Sequence, residues 1–490
     1  MNYRLLSRIF GILLLLVSVC MAGCMLFGYL EMRGEVENHA VRALALSAGI
    51  TALAGVVLFV LGLGSGREIL RKEAIVVVGL GWFVSAVFGM LPYVFCEPAL
   101  PVPKALFESV SGFTTTGATA ISDLNDYPRA ILLWRALTQW LGGLGILVLF
   151  VALLTYLGVG GKSLFRTESS ARSGESTHSR IRSTALLLWG IYLALTAAAV
   201  LGLKVLGMGW FDAICHAFTT VATGGFSNYN SSIAHFDSPQ IEVFIIVMML
   251  VSALPFFFHA ALFRRQWKRV RSEEEGRWFL IMAALAIALV FFNITVQSRV
   301  HESNLEALRN AAFQVTAILT STGYVIDDYD VWPGFSTSVL LALMVMGGCT
   351  CSTAGGIKVA RVILVFKSAR QEIVAAFRPK LVYRMEVNKV PAEAAARAAV
   401  FHVLLFAVCF VLGSLALAIL EPKKDFDTTF SATVATLFNI GPGIAGVGPT
   451  QTYTDFSSPS FFVMSLLMIM GRLELFAVLV LFVPSLWRKY

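Results

Sequence analysis

The chain has 490 residues, of which 57% are hydrophobic and only 14% charged, and its mean hydropathy is +0.76. A soluble protein would carry about a quarter charged residues, so a pair of ordinary soluble domains is excluded and a polytopic membrane protein is indicated. The formal net charge of +8 then reports membrane topology and not a nucleic-acid partner.

The chain opens with Arg4 and Arg8 and an apolar run over 9–30. Met21-Ala22-Gly23-Cys24 resembles a lipoprotein cleavage box. The run is longer than a signal peptide's apolar region, and a second apolar run follows at once, so a retained spanning helix is expected. Further runs of spanning length lie at about 43–64, 74–95, 130–157, 183–206, 240–263, 278–297, 335–368, 396–420 and 458–485, which makes ten. Three of them (130–157, 335–368, 458–485) exceed what a bilayer needs, which predicts tilt, a break or extension beyond it.

Basic residues fix the orientation. Arg4, Arg8, Arg67, Arg71, Lys72, five between Lys162 and Arg182, six between Arg264 and Arg277, nine between Lys358 and Arg397, Arg488 and Lys489 make 27 of the 38. The alternate connections are richer in acids. The positive-inside rule therefore places both termini in the cytoplasm.

Four outer connections share a small, polar, glycine-bearing stretch: FTTTGATA (113–120), VATGGFSN (221–228), TSTGYVID (320–327) and FNIGPGIA (438–445). Each follows a short amphipathic run, over 103–114, 210–221, 304–319 and 426–437. These runs are too short to span, and residues such as Asp212, Ser303 or Asp427 can cap them. With Gly117, Gly224, Gly323 and Gly441 as register marks, the chain divides into four divergent repeats of about 100 residues. The expected fold is all-α: 1–66 holds two extra helices, and the repeats occupy 67–162, 163–264, 265–380 and 381–490.

Non-helical backbone at membrane depth needs protein or water around it. Four half-helices aiming their C-terminal ends at one axis would favour a cation. Glycine lets carbonyls turn toward that axis, and carbonyls can replace an ion's hydration shell. An ion filter is therefore expected, with ordinary re-entrant turns as the alternative. In the run over 335–368, the small and polar MGGCTCSTAGG (346–356) fits either a flexible plug or a close helix-packing seam. Arg472, inside the last run, is costly there and expected to be functional; Glu474 or plug carbonyls are its expected partners. Pairing that merely joins two helices is the other reading.

Other features carry less. The seven cysteines hold no C-x-x-C, and Cys349 and Cys351 read as small loop residues. LGVGGKS (157–163) lacks the first glycine and the strand of a phosphate loop. His216 and His259 are isolated and read as locally hydrogen-bonded. No set of residues on the spans reads as an enzyme.

The stretches FESVSGFTTTGAT (107–119), FDAICHAFTTVATGGFSNYNSSIAHFDSP (211–239), GGCTCSTAGGIKVAR (347–361), ATLFNIGPG (435–443) and GRLELF (471–476) resemble the Trk/Ktr/HKT superfamily of potassium transporters. Within it they resemble the bacterial Trk uptake subunits of the TrkH branch, whose two extra N-terminal helices also match. The resemblance covers essentially the whole chain. It implies one pore per chain in a homodimer in the bacterial inner membrane. It also implies a filter of Thr115, Thr116, Gly117 and Ala118; Ala222, Thr223, Gly224 and Gly225; Ser321, Thr322, Gly323 and Tyr324; and Asn439, Ile440, Gly441 and Pro442. In the superfamily a serine in place of the first-repeat glycine accompanies sodium preference, so Gly117 implies potassium.

A gate is implied at Gly347, Gly348, Cys349, Thr350, Cys351, Ser352, Thr353, Ala354, Gly355 and Gly356, with Arg472. No run reads as a nucleotide-binding domain. The resemblance implies a separate cytosolic ring of TrkA-like subunits that binds NAD or ATP. The basic stretches 162–182, 264–277 and 358–397 would meet that ring or anionic lipids. A channel-like potassium uptake driven by membrane potential is expected, with proton- or sodium-coupled symport as the alternative. Arginine does not readily release a proton, which disfavours proton coupling through Arg472.

Overall fold

The computed structural model describes residues 1–31, 35–64, 70–156, 177–298, 303–378, 386–387 and 390–487. The phosphate-loop-like stretch and most of the basic stretch 162–182 lie outside the described residues. In lipid an apolar run must satisfy its own backbone, so it forms a helix. Six helices are long and apolar enough to cross a membrane: Tyr3–Leu30, Asn38–Leu61, Lys72–Phe95, Ala185–Val205, Glu274–Val296 and Glu393–Leu420. Each coincides with an expected run. A further helix, Arg129–Tyr156, has 28 residues.

The other three runs are broken: for 335–368 and 458–485 a break is one of the expectations, and for 240–263 it corrects the reading of one continuous span. Pro239–Ala253 and Phe256–Phe263 meet at 97°, at Leu254-Pro255. Proline lacks the amide that would continue the helix. Ser458–Arg472 and Phe476–Phe482 meet at 115°, where Glu474 (φ 55°) and Leu475 (φ 62°) take left-handed backbone. The third break is longest. Gly334–Val345 and Val359–Phe377 are separated by a loop, Met346 to Lys358. By length and apolarity the described residues hold six spans, or eight with the bent pairs.

The four short runs fold as helices Val102–Phe113, Trp210–Val221, Asn304–Leu319 and Phe426–Leu437. In the spanning helices the buried residues form one stripe; here Ala105 to Phe113 and Phe313 to Leu319 are buried without interruption. A helix buried on every side stands in the middle of a bundle. Of the three expected caps, only Ser303 accepts an amide hydrogen bond, from Leu305. Asp212 lies inside its helix and instead accepts from Asn228 and Tyr229, and Asp425 stands at the fourth cap position without a side-chain bond.

The two ends of the chain meet. The amide of Asn2 donates to Glu73 (3.1 Å), and Leu6, Val76 and Leu486 share one small core. The start of the first helix, the start of the third and the last helix therefore lie on one face.

Candidate functional site

Each short helix ends in the same way. Its last turn closes with a six-residue hydrogen bond: Thr116 to Ser111 (2.9 Å), Gly224 to Thr219 (2.8 Å), Thr322 to Ala317 (2.9 Å) and Ile440 to Ala435 (2.9 Å). Thr115, Thr223, Ser321 and Asn439 lie between, with φ from 51° to 56°. This is the Schellman ending, which usually needs glycine at the left-handed position. Two residues later the chain turns left-handed again, at Gly117, Gly225, Gly323 and Gly441. The register of the second loop is therefore corrected by one. Gly225, and not Gly224, matches the other three glycines, and Thr223 to Phe226 match Thr115 to Ala118.

These glycines close a ring. A Cβ on Gly117 would overlap the carbonyl oxygen of Gly224, one on Gly225 that of Thr322, and one on Gly323 that of Ile440; one on Gly441 would stand 2.7 Å from that of Thr116. The four contacted carbonyls occupy equivalent places, each directly before a ring glycine. The loops thus contact one another in the order one, two, three, four and back to one.

One or two polar ties reinforce each junction. Between the first and second loops, Arg135 donates to the Ser227 carbonyl (2.9 Å) and Glu108 (2.6 Å), with its guanidinium over the Phe226 ring. Gln139 donates to the Gly224 carbonyl (2.7 Å) and accepts from the Phe226 amide (3.1 Å). Tyr324, from the third loop, shares a 2.5 Å hydroxyl contact with Thr219 below the second. Tyr329 donates to the Gly443 carbonyl beside the fourth (2.8 Å). Asn439 donates to the Thr116 hydroxyl (2.9 Å), and the Tyr453 amide to the Thr119 carbonyl (2.9 Å), which returns to the first.

Loops one and three also share a clip that the others lack. The hydroxyls of Thr114 and Thr116 stand 2.7 Å apart, and those of Thr320 and Thr322 2.8 Å; the matching positions are Ala222 with Gly224 and Phe438 with Ile440.

A buried carbonyl normally has a partner. Among the described residues, the carbonyl oxygens of Thr115, Gly117, Thr223, Gly225, Ser321, Gly323 and Asn439 accept no hydrogen bond. Such oxygens, set around a ring at the C-terminal ends of helices, suit a desolvated monovalent cation. No charged side chain is needed to hold it.

The loop Met346 to Lys358 covers one end of the ring. Gly355 donates to the Ser321 hydroxyl, and a Cβ on Gly355 would stand 2.8 Å from the Phe438 carbonyl. Thr353 donates to the Val221 carbonyl (3.0 Å), the last residue of the second short helix. The loop also mends the break at Pro255: Cys349 donates to the Ala253 carbonyl (2.9 Å) and Phe256 to that of Cys351 (3.1 Å). On its far side Glu275 accepts from the amides of Thr350 (2.6 Å) and Ala360 (3.1 Å). The loop's ends pair with each other, Gly347 donating to Ile357 (2.9 Å). Gly347 to Gly356 are buried throughout except at the half-buried Thr350, and the stretch is a loop and not a helix-packing seam.

Arg472 is buried and donates to the Thr353 carbonyl (2.8 Å). The second of its two expected partners is therefore the right one. Glu474 instead pairs with Arg361. Outside the spans, Asp330 sits beside Gly448, and partial burial raises its carboxyl to about 6 against the pull of the Ala445 amide.

Residues 50–489 match the family model named TrkH and described as a cation transport protein. The chain belongs to the TrkH family. The Trk system potassium uptake protein TrkH of Halomonas elongata is 36% identical over the whole of both chains, as is that of Escherichia coli strain K12. The Trk system potassium uptake protein TrkG of the latter is 31% identical over 87% of each chain. The crystal structure of the potassium transporter TrkH from Vibrio parahaemolyticus matches with a TM-score of 0.89 at 33% identity, over all of both chains. TrkH-family membership and the apolar helices make this a multi-pass membrane protein of a transport family, not an enzyme.

The chain brings fifteen of the sixteen expected loop residues to one ring, with Phe226 in the place expected of Ala222, which is the cap of its short helix, and Gly347 to Gly356 with Arg472 to its covered end. Sequence reasoning missed Glu108, Arg135, Gln139, Glu275 and Lys358. The signal was present: charged or amide side chains inside or beside apolar runs. His216 and His259 behave as expected, bonded to Asp212 and Ser227 and to Val251.

Proposed function

We propose that this TrkH-family chain takes up potassium through a gated, channel-like pore. Four divergent repeats (67–162, 163–264, 265–380 and 381–490) surround the pore, and the two helices in 1–66 stand outside them. The four loops are its filter, and Met346 to Lys358 with Arg472 is its gate. The observation that carries this reading is the closed ring of four equivalent glycine–carbonyl contacts, because equivalent contacts around a ring define an axis. Potassium is assigned from the names of the relatives and from the glycine at all four ring positions.

The membrane potential supplies about 2.3 kcal/mol per charge per 100 mV, enough to concentrate a cation without a coupled ion. The clustered chain ends, with the basic residues, support cytoplasmic termini in a bacterial inner membrane. A homodimer and a cytosolic TrkA-like ring that binds NAD or ATP belong to the same reading. Coupled symport is the second reading. It is favoured by the buried Lys358 and the half-buried pair Arg361 and Glu474 near the gate.

Rubidium uptake into liposomes holding the purified protein tests the choice, with a 349–354 deletion to release the gate. Concentrative uptake under an inside-negative potential alone, competed by potassium, is expected. Uptake that appears only with a sodium or proton gradient would replace the channel with a symporter.

A further inference from the structure

Two consecutive carbonyls of the gate loop are held by cations of this chain. Arg472 donates to the Thr353 carbonyl at 2.8 Å. The ammonium of Lys358 folds back onto its own loop and donates to the Ala354 carbonyl. Lys358 is 4% exposed and Arg472 3%. The next residue, Gly355, touches the third and fourth loops of the ring.

Burying an ammonium is costly unless charge and hydrogen bonds compensate it. The charged groups around Lys358 are Glu474, Arg472, Arg361 and Glu275. Of the two acids, Glu474 is paired with Arg361, and Glu275 accepts from Thr350 and Ala360. The Ala354 carbonyl supplies a hydrogen-bond part of its compensation, beside the nearby charge of Glu474. A carbonyl oxygen that accepts an ammonium is also the ligand a dehydrated potassium ion requires.

We infer that Lys358 is a tethered blocking cation: with the gate shut, its ammonium occupies the gate-loop carbonyl that a potassium ion leaving the ring would meet. Lys358 is thus a gating residue that acts through charge, beside Arg472. The inference rests on the gated-pore reading. For the pore to conduct, the loop must move so that the ammonium leaves this position, and the uncovered Ala354 carbonyl then serves the ion.

The test is rubidium flux into liposomes holding the full chain without any partner, for Lys358→Gln, Lys358→Met, Lys358→Arg and the 349–354 deletion. Gel filtration and thermal melting report folding. Glutamine can still donate to Ala354 but carries no charge. Lys358→Met is expected to raise basal flux about ten- to hundredfold, the range set by one hydrogen bond from a charged group, and Lys358→Gln, which loses the charge alone, by about tenfold. Lys358→Arg should hold flux well below that of Lys358→Gln.

If Lys358→Gln stays as tight as the wild type while the deletion leaks, the lysine is a structural clip and the inference is wrong. If Lys358→Arg leaks as much as Lys358→Gln, charge is not the blocking element and the inference is again wrong. If Lys358→Met fails to fold, the comparison of Gln with Arg decides alone. If even the well-folded deletion stays silent, the gated-pore reading itself fails.

Discussion

Asn439 reaches the neighbouring loop at Thr116. Its amide nitrogen stands 2.9 Å from the threonine hydroxyl and 2.9 Å from the Met468 carbonyl, so one side chain joins the fourth loop, the first loop and the bent helix behind them. Asparagine suits the place twice, because it tolerates left-handed backbone and offers two donors. Asn439→Ala removes both bonds at a buried site, at a cost of about 1–3 kcal/mol. We expect a lower melting temperature and weaker discrimination of rubidium from sodium in competition uptake. Unchanged discrimination in folded protein would mean that this tie does not set the ring's width.

The corrected register makes a second comparison. Gly225 is left-handed and faces the Thr322 carbonyl, whereas a Cβ on Gly224 would first meet the Gln139 side chain. A left-handed alanine costs about 1–2 kcal/mol, and the overlap with rigid backbone adds to it. Gly225→Ala should therefore reduce rubidium flux by about tenfold or more, and Gly224→Ala should do less. The reverse order would restore Gly224 as the ring glycine.

How much of this was legible follows from where each signal lies. The boundaries of Trp210–Val221, Asn304–Leu319 and Phe426–Leu437 were read correctly, because helical amphipathicity and the following glycine are local features. The choice between Gly224 and Gly225 was not legible. Both are glycines, and only backbone geometry separates them. Arg472 declared itself as a charge in an apolar run. Its partner was narrowed to two and not decided, because Glu474 is close in sequence but stands in the break at Glu474-Leu475, where the backbone turns left-handed. Lys358 was read only as one basic residue of an inner connection, although it is buried, and Glu275 lies just before an apolar run, where a charge looks like an interfacial residue.

Asp330 gives a pH prediction outside the spans. Partial burial and then Asp328 raise its carboxyl from 3.8 to about 6, while the Ala445 amide opposes them. A carboxyl raised on folding takes up protons as the chain folds. Its stabilising contribution is therefore complete below about pH 4 and is lost as pH rises through about 6. Asp330→Asn removes that dependence. In detergent, the variant should melt above the wild type at pH 7, with the difference narrowing as pH falls toward 4. A difference that does not change with pH would show that Asp330 titrates at its ordinary value.

Glu275 secures the loop Met346 to Lys358 from the side away from the ring. One carboxylate oxygen accepts from the Thr350 amide (2.6 Å), the Thr350 hydroxyl (3.0 Å) and the Ala360 amide (3.1 Å), so it holds the middle of the loop and the start of the helix that follows. Glu275→Ala leaves two partly buried amides without an acceptor, and hydrogen bonds to a charged group are worth about 1.5–3 kcal/mol each. Glu275→Gln keeps an acceptor oxygen but loses the charge. If the loop is the gate, releasing it biases the shut state toward the open one. We expect basal rubidium flux to rise about tenfold or more in Glu275→Ala and by less in Glu275→Gln, with both proteins intact by gel filtration. Flux at the wild-type level in a folded Glu275→Ala would mean that the contacts with Val221, Ser321 and Arg472 hold the loop shut without it.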